Sequence, residues 1–312
     1  MNLKAIYYHS DFDGIVSASM LYRFVGKVSN LYPVDYHLQK DWANKHLLRP
    51  SAIVDFLYHP DATFWFDHHS NPFVKASWRN SFFETSKQIW RPRAPSCPPV
   101  ILEALPFTEV DKAHFAEYIH WSSVIDSALY MSVEEATDSH NPFIKLSRVI
   151  PIIKDAAKSE MVKLIAHNRV SAVLQHPFIV AGLKLIEHID DTISENLTDL
   201  MQFDGIVVKL DQSSYDWPYQ RYQAYKFYPK ARFVVGIYKA RQLFTVSVGP
   251  NPWQMPPDID IGTICRRWGG GGHKTVGGMM FANVKAAKEA ADEVVSTLHF
   301  TTDFAQSNEG RE

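Results

Sequence analysis

The stretch Phe64-Trp65-Phe66-Asp67-His68-His69 constrains this chain more than any other. Three aromatic residues in a row form a short apolar run. An acid and two histidines follow with no spacer. Such a run reads as a buried strand that stops at its polar residues. The carboxyl end of a strand is where open α/β sheets place their ligands. One carboxylate and two imidazoles there can hold a divalent cation, since oxygen and nitrogen donors suit Mn, Zn, Co or Fe. They can equally be solvated polar residues at a strand end, so the triplet alone does not decide.

Two other strand ends repeat the pattern. Leu3 to Tyr8 reads as a first buried strand, followed by His9-Ser10-Asp11-Phe12-Asp13-Gly14. Ile15, Ala18, Leu21, Tyr22 and Val25 then recur at helical spacing, which predicts a helix from about Asp13 to Phe24. Residues 9, 11 and 13 can converge on one side of such a turn. Helix capping accounts for one of these acids but not for three polar groups. Val28 to Tyr36 is a second strand candidate. Ser51-Ala52-Ile53-Val54-Asp55 is a third, again an apolar run ending in an acid. Strands alternating with helix-compatible segments imply an α/β fold with a mostly parallel sheet and flanking helices. Three strand ends would then deliver carboxylates and imidazoles to one edge. Further on, Ser96-Cys97-Pro98-Pro99 looks like a helix start. A helical stretch from Ala113 to Ala128 carries Asp126 among apolar neighbours, and a buried acid needs a partner.

With 312 residues, two domains are expected. The net charge of -2 lacks the basic footprint of a protein that binds long duplex nucleic acid. Cys97 and Cys265 are far apart, which fits a reducing cytoplasm better than a disulfide framework. No stretch resembles a signal peptide or is long enough to span a bilayer, so no membrane role is expected. Pro151 to Leu200 is amphipathic and helical. A second, smaller α/β domain should begin near Phe203, with strands at 204–210, 232–238 and 243–248 and a helix over 259–268. The aromatics of 215–228 can stack on bases or form the core around a small helix. The run Gly269 to Gly272, then His273, Lys274 and Gly277-Gly278, permits unusual φ values and close backbone approach to an anion.

Taken together, these residues are similar to the motifs of the DHH phosphoesterase family with its C-terminal DHH-associated domain, in the family's order. His9 to Gly14 resembles the first motif, Asp55 the second, Asp67-His68-His69 the third, Asp126 the fourth, and Gly269 to Gly278 the C-terminal signature. The resemblance implies a catalytic domain over 1–185, a helical connector over 186–203, a substrate-binding domain over 204–300 and a flexible tail over 301–312. It places an active-site cleft between the two domains. It also implies two divalent cations, usually Mn2+, with Mg2+, Co2+ or Zn2+ as alternatives. His9, Asp11 and Asp55 would hold one; Asp13, Asp55, His68 and Asp126 the other. His69 would sit beside the scissile phosphate, with Asp67 supporting the histidines. Gly270, Gly271, Gly272, His273 and Lys274 would bind the far phosphate. The implied activity is hydrolysis of short oligonucleotides, dinucleotides or nucleoside bisphosphates. The alternatives are a cyclic-dinucleotide or polyphosphate hydrolase, or a nucleotide-binding protein with little catalysis. A homodimer is compatible with all of these. One departure stands out. The Ser-x-Arg element that grips oligonucleotides in such enzymes reads Ser247-Val248-Gly249 here, leaving Arg266, Arg267 or Lys274 to take the role.

Overall fold

A computed structural model describes residues 2–309 apart from 216–218, 220, 241, 255–258 and 273, with backbone alone at 193–195 and 301–309. The chain divides into two compact units. The first comprises Met1–Leu129 and Ser139–Ile186, the second Tyr130–Asp138 and Glu187–Glu312.

The first unit is built on five strands: β1 (Asn2–His9), β2 (Lys27–Val34), β3 (Ser51–Val54), β4 (Phe64–Asp67) and β5 (Gln88–Trp90). They lie in the order β2-β1-β3-β4-β5, and every pairing is parallel. The central strands β1, β3 and β4 are covered on both faces, which explains their near-continuous apolar character, while the edge strands β2 and β5 are only partly buried. Ile6, Tyr8, Val54, Phe64 and Phe66 face one way, onto the helix Phe12–Val25 and its neighbours. Tyr7, Ile53 and Trp65 face the other, onto Trp42, Phe56 and Tyr58. The chain leaves β1 toward β2 on one side and returns to β3 on the other. Beyond the carboxyl ends of β1 and β3 there is therefore a crevice where connections diverge, the favoured ligand position in such sheets. His9 closes β1 and Asp55 follows β3, one on each side of it.

The second unit holds six strands: β6 (Met201–Phe203), β7 (Val207–Asp211), β8 (Phe233–Ala240), β9 (Leu243–Pro250), β10 (Gly271–Gly272) and β11 (Gly277–Phe281). Their order is β10-β11-β9-β8-β7-β6, antiparallel except for β7 with β8. The odd-numbered face of β7 and β8 packs with Val246, Val248 and Met279 against Ala287, Ala291, Val294 and Leu298 of the last helix. That helix, Val284–Glu309, continues through most of the stretch expected as a flexible tail. Among the aromatics of 215–228, Tyr225 is buried within the short helix Gln223–Phe227. Tyr222 meets Tyr130 edge-on at 5.2 Å, and the Trp253 indole donates to the Tyr130 carbonyl at 2.9 Å. These contacts attach Tyr130–Asp138 to the second unit, which a single boundary near residue 185 does not foresee.

Candidate metal centre

The site grows from the carboxyl edge of the first sheet. Asp11 caps the helix Phe12–Val25, its Oδ1 accepting from the Gly14 N–H at 2.9 Å. Capping thus occupies one of its oxygens. Gly14 is required by space, because a Cβ there would stand 2.1 Å from the His9 carbonyl oxygen. Asp13 lies inside the first turn and is buried. It accepts from the Cys97 N–H at 2.9 Å and the Ser122 hydroxyl at 3.0 Å. Asp55 has φ +56°, a left-handed conformation that aspartate tolerates better than most residues. Its N–H donates to the Phe66 carbonyl at 2.9 Å, tying the end of β3 to β4. Non-glycine residues held in this region concentrate at functional sites. Asp126 closes the helix Glu109–Asp126.

Side chains from these elements converge. His9 Nδ1 lies 2.8 Å from Asp11 Oδ2 and 3.6 Å from Asp55 Oδ2. His68 Nε2 lies 3.3 Å from Asp55 Oδ1, 3.4 Å from Asp13 Oδ2 and 3.5 Å from Asp126 Oδ2. Three trios have donor atoms within 4.8 Å of one another: His9, Asp11 and Asp55; Asp13, His68 and Asp126; and Asp55, His68 and His69. Asp55 therefore turns one oxygen to each of two clusters. Both of its oxygens, His9 Nδ1 and His68 Nε2 are shut off from solvent without a well-formed hydrogen bond among the described residues. Buried polar atoms are rarely left so. The donor set suits a divalent cation, and two of the trios share Asp55.

The outer partners suit the same arrangement. His68 Nδ1 faces the Ala94 carbonyl at 3.2 Å, which leaves Nε2 for the carboxylate cluster. His69 Nδ1 is 2.8 Å from the buried Asp67 Oδ1, and Asp67 Oδ2 accepts the His69 N–H at 3.2 Å. Two participants were not foreseen. Asp35 Oδ1 stands 3.9 Å from His9 Nε2, and the Tyr36 ring meets those of His9 and His69 at 5.2 and 5.9 Å. The sequence places Asp35 inside the strand candidate Val28 to Tyr36, a run that alternates polar and apolar residues and does not mark it as a site residue.

No protein-family model matches the sequence, and no curated protein matches it. Solved structures do. A pGpG-specific phosphodiesterase from Vibrio cholerae, PggH, superposes with a TM-score of 0.69 at 19% identity, covering 95% of this chain and 99% of that one. A DHH-domain member of the s1p family of ribosomal proteins gives 0.57 at 10% identity, over 94% and 86%. RecJ from Thermus thermophilus in complex with Mn2+ gives 0.54 at 14% identity, covering 94% of this chain but 52% of RecJ. The chain has the DHH fold.

Within this DHH fold the side chains of the site are strongly coupled electrostatically. Burial pushes the Asp13 carboxyl up to about 7, and the neighbouring Asp55 adds to the rise. Burial and Asp13 likewise hold Asp126 well above the carboxylate range. Burial opposes charge on His69, but Asp67 and Asp55 outweigh it and raise the ring to about 9. His9 and His68 are also raised against burial, chiefly by Asp11 for the former and by Asp13 and Asp55 for the latter. Asp55, despite its burial, is held below its ordinary range by His68 and His9. Protons thus occupy donors that a cation needs. Metal uptake should release on the order of one proton or more per chain near pH 7.5, and affinity should rise from pH 6 to 9. Calorimetry in buffers of different ionisation enthalpy measures this. Identical heats in all buffers would show that no proton leaves.

The glycine run forms a tight hairpin rather than an open loop. Gly271 and Gly272 pair with Gly278 and Gly277. A Cβ at Gly270 would meet the Gly278 carbonyl at 2.2 Å, and Gly272 has φ +141°. His273 lies outside the described residues. The Lys274 carbonyl accepts from the Ile261 N–H at 3.0 Å. Among the described residues, no helix is long and apolar enough to cross a membrane.

Proposed function

We propose that this chain is a metal-dependent phosphoester hydrolase of the DHH family that cleaves short oligonucleotides, dinucleotides or nucleoside bisphosphates to mononucleotides. The observation that carries the reading is Asp55, a buried carboxylate with one oxygen toward each of two donor clusters. His9, Asp11 and Asp55 would hold one cation, and Asp13, Asp55, His68 and Asp126 the other. Such a pair would supply an activated water and would neutralise charge on the attacking and leaving oxygens. The chain's own residues do the rest. Asp67 fixes the His69 ring through Nδ1, so His69 is oriented to donate to the phosphate rather than to rotate freely. Gly270, Gly271, Gly272, His273 and Lys274 bind the substrate's far phosphate. Resemblance in fold to a protein named for pGpG hydrolysis supports a linear dinucleotide within this class.

The test is a screen of the full chain against linear dinucleotides, nucleoside 3′,5′-bisphosphate, cyclic dinucleotides and polyphosphate. Hydrolysis of a linear dinucleotide or the bisphosphate is expected, lost in EDTA and restored best by Mn2+. Preference for a cyclic dinucleotide or polyphosphate would replace the substrate class. Tight nucleotide binding with no turnover in any metal would make the protein a binding module.

A further inference from the structure

The helix Glu109–Asp126 ends in a run of polar residues, Ser122, Ser123, Asp126 and then Ser127, and each of them reaches out of the helix. Ser122 is fully buried and donates its hydroxyl to Asp13 Oδ1 at 3.0 Å. A serine inside a helix commonly returns its hydroxyl to the carbonyl four residues back. Ser123 does so toward Ile119 at 3.1 Å. The Ser122 hydroxyl instead crosses to a residue 109 positions away. Ser123 also meets the Ser96 hydroxyl at 2.9 Å, and Ser127 donates to the Pro95 carbonyl. Asp126 Oδ2 stands 3.5 Å from His68 Nε2. The segment 94–97 acts from the other side. Its Ala94 carbonyl lies 3.2 Å from His68 Nδ1, and the Cys97 N–H donates to Asp13 Oδ2 at 2.9 Å. The helix end and this segment are thus stitched to each other, and both touch the Asp13, His68 and Asp126 trio.

The two oxygens of Asp13 have separate commitments. Oδ2 takes the Cys97 N–H and faces His68 Nε2 at 3.4 Å. Oδ1 accepts from Ser122 and, at 3.4 Å, from Ser17. A hydrogen bond of that length is weak, so Ser122 carries most of the Oδ1 side. The backbone offers no substitute just beyond Cys97, because Pro98 and Pro99 have no N–H to give. Without the Ser122 hydroxyl the buried carboxylate would be held firmly on its Oδ2 side alone, and an under-partnered buried oxygen is costly. Carboxylates that bind a cation are themselves held by hydrogen bonds, and losing such an outer partner weakens the cation's hold. Among the described residues the Ser122 hydroxyl bonds to no member of the His9, Asp11 and Asp55 trio. Its influence is therefore confined to one of the two clusters.

We infer that Ser122 is a positioning residue of the metal centre, whose hydroxyl fixes the Asp13 carboxylate so that Oδ2 is presented to a cation shared with His68 and Asp126. The inference rests on the reading of that trio as a cation site. The test is calorimetric titration of the metal-stripped full chain with Mn2+, in one buffer and at a temperature where every variant is folded by circular dichroism. Ser122→Ala removes a single oxygen and suits a helix, so it should fold. It should weaken one Mn2+ binding event about tenfold to a hundredfold and leave any other within about threefold. Ser122→Thr keeps the hydroxyl and should stay within about threefold of wild type. Ser123→Ala loses the contact with Ser96 but none with Asp13, and it should also stay within about threefold. A lowered melting temperature in Ser122→Ala with unchanged Mn2+ affinity would make the serine merely structural and overturn the assignment. So would Ser123→Ala as weak as Ser122→Ala, because helix packing rather than the bond to Asp13 would then be responsible. A folded Ser122→Thr as weak as the alanine variant would overturn it as well. Failure of the metal reading has a different signature: wild type itself would take up no Mn2+, and the role of Ser122 would fall with it.

Discussion

Asp55→Asn should abolish turnover and lower metal content while leaving the fold in place. Asparagine tolerates the left-handed conformation at φ +56°, so the backbone need not move. Alanine at this position would add strain, which makes asparagine the cleaner test and Asp55→Ala its control. The amide presents one neutral oxygen where the carboxylate presents two charged ones. It can no longer serve His9 and Asp11 on one side and His68, Asp13 and Asp126 on the other. Loss of a group that positions and neutralises charge in this way should cost on the order of a thousandfold or more in kcat. Metal analysis should show fewer than two cations retained per chain, with an unchanged circular dichroism spectrum. Full stoichiometry with near-normal turnover would remove Asp55 from its shared position.

The second large effect separates two adjacent histidines. His68→Ala should strip metal from the protein, whereas His69→Ala should keep it and lose about a hundredfold to ten-thousandfold in turnover. The reason is where each ring is committed. His68 has Nδ1 on the Ala94 carbonyl and Nε2 among three carboxylates. His69 has Nδ1 on Asp67 at 2.8 Å and stands 3.7 Å from Asp55. Asp67→Asn should reproduce the His69 phenotype in weaker form, because it disturbs the orientation of the ring and not its presence. His69 also belongs to a donor trio with Asp55 and His68. Metal loss as complete in His69→Ala as in His68→Ala would therefore make His69 a ligand.

Local pattern alone determined a good deal of this protein. Apolar runs that end on His9, Asp55 and Asp67 marked β1, β3 and β4, and helical periodicity after Asp13 marked the helix Phe12–Val25, because strand and helix periods are written in neighbouring residues. The alternation of those strands with helix-compatible segments implied the parallel sheet. The glycines of 269–272 read as room for backbone to approach an anion, whereas what the fold displays is the pairing of Gly271 and Gly272 with Gly278 and Gly277. What local pattern could not reach were coincidences between distant segments. That Asp35 lies near His9, that Tyr130–Asp138 belongs with the second unit, and that the Ser122 hydroxyl reaches Asp13 leave no periodic trace. The left-handed turn at Asp55, which aims its two oxygens apart, is equally silent in a run that reads only as apolar residues ending in an acid. Each of these depends on strand order and on how chain segments pack across a sheet face. Packing of that kind is decided by shape and volume between residues far apart in sequence, and only the tertiary structure brings them together.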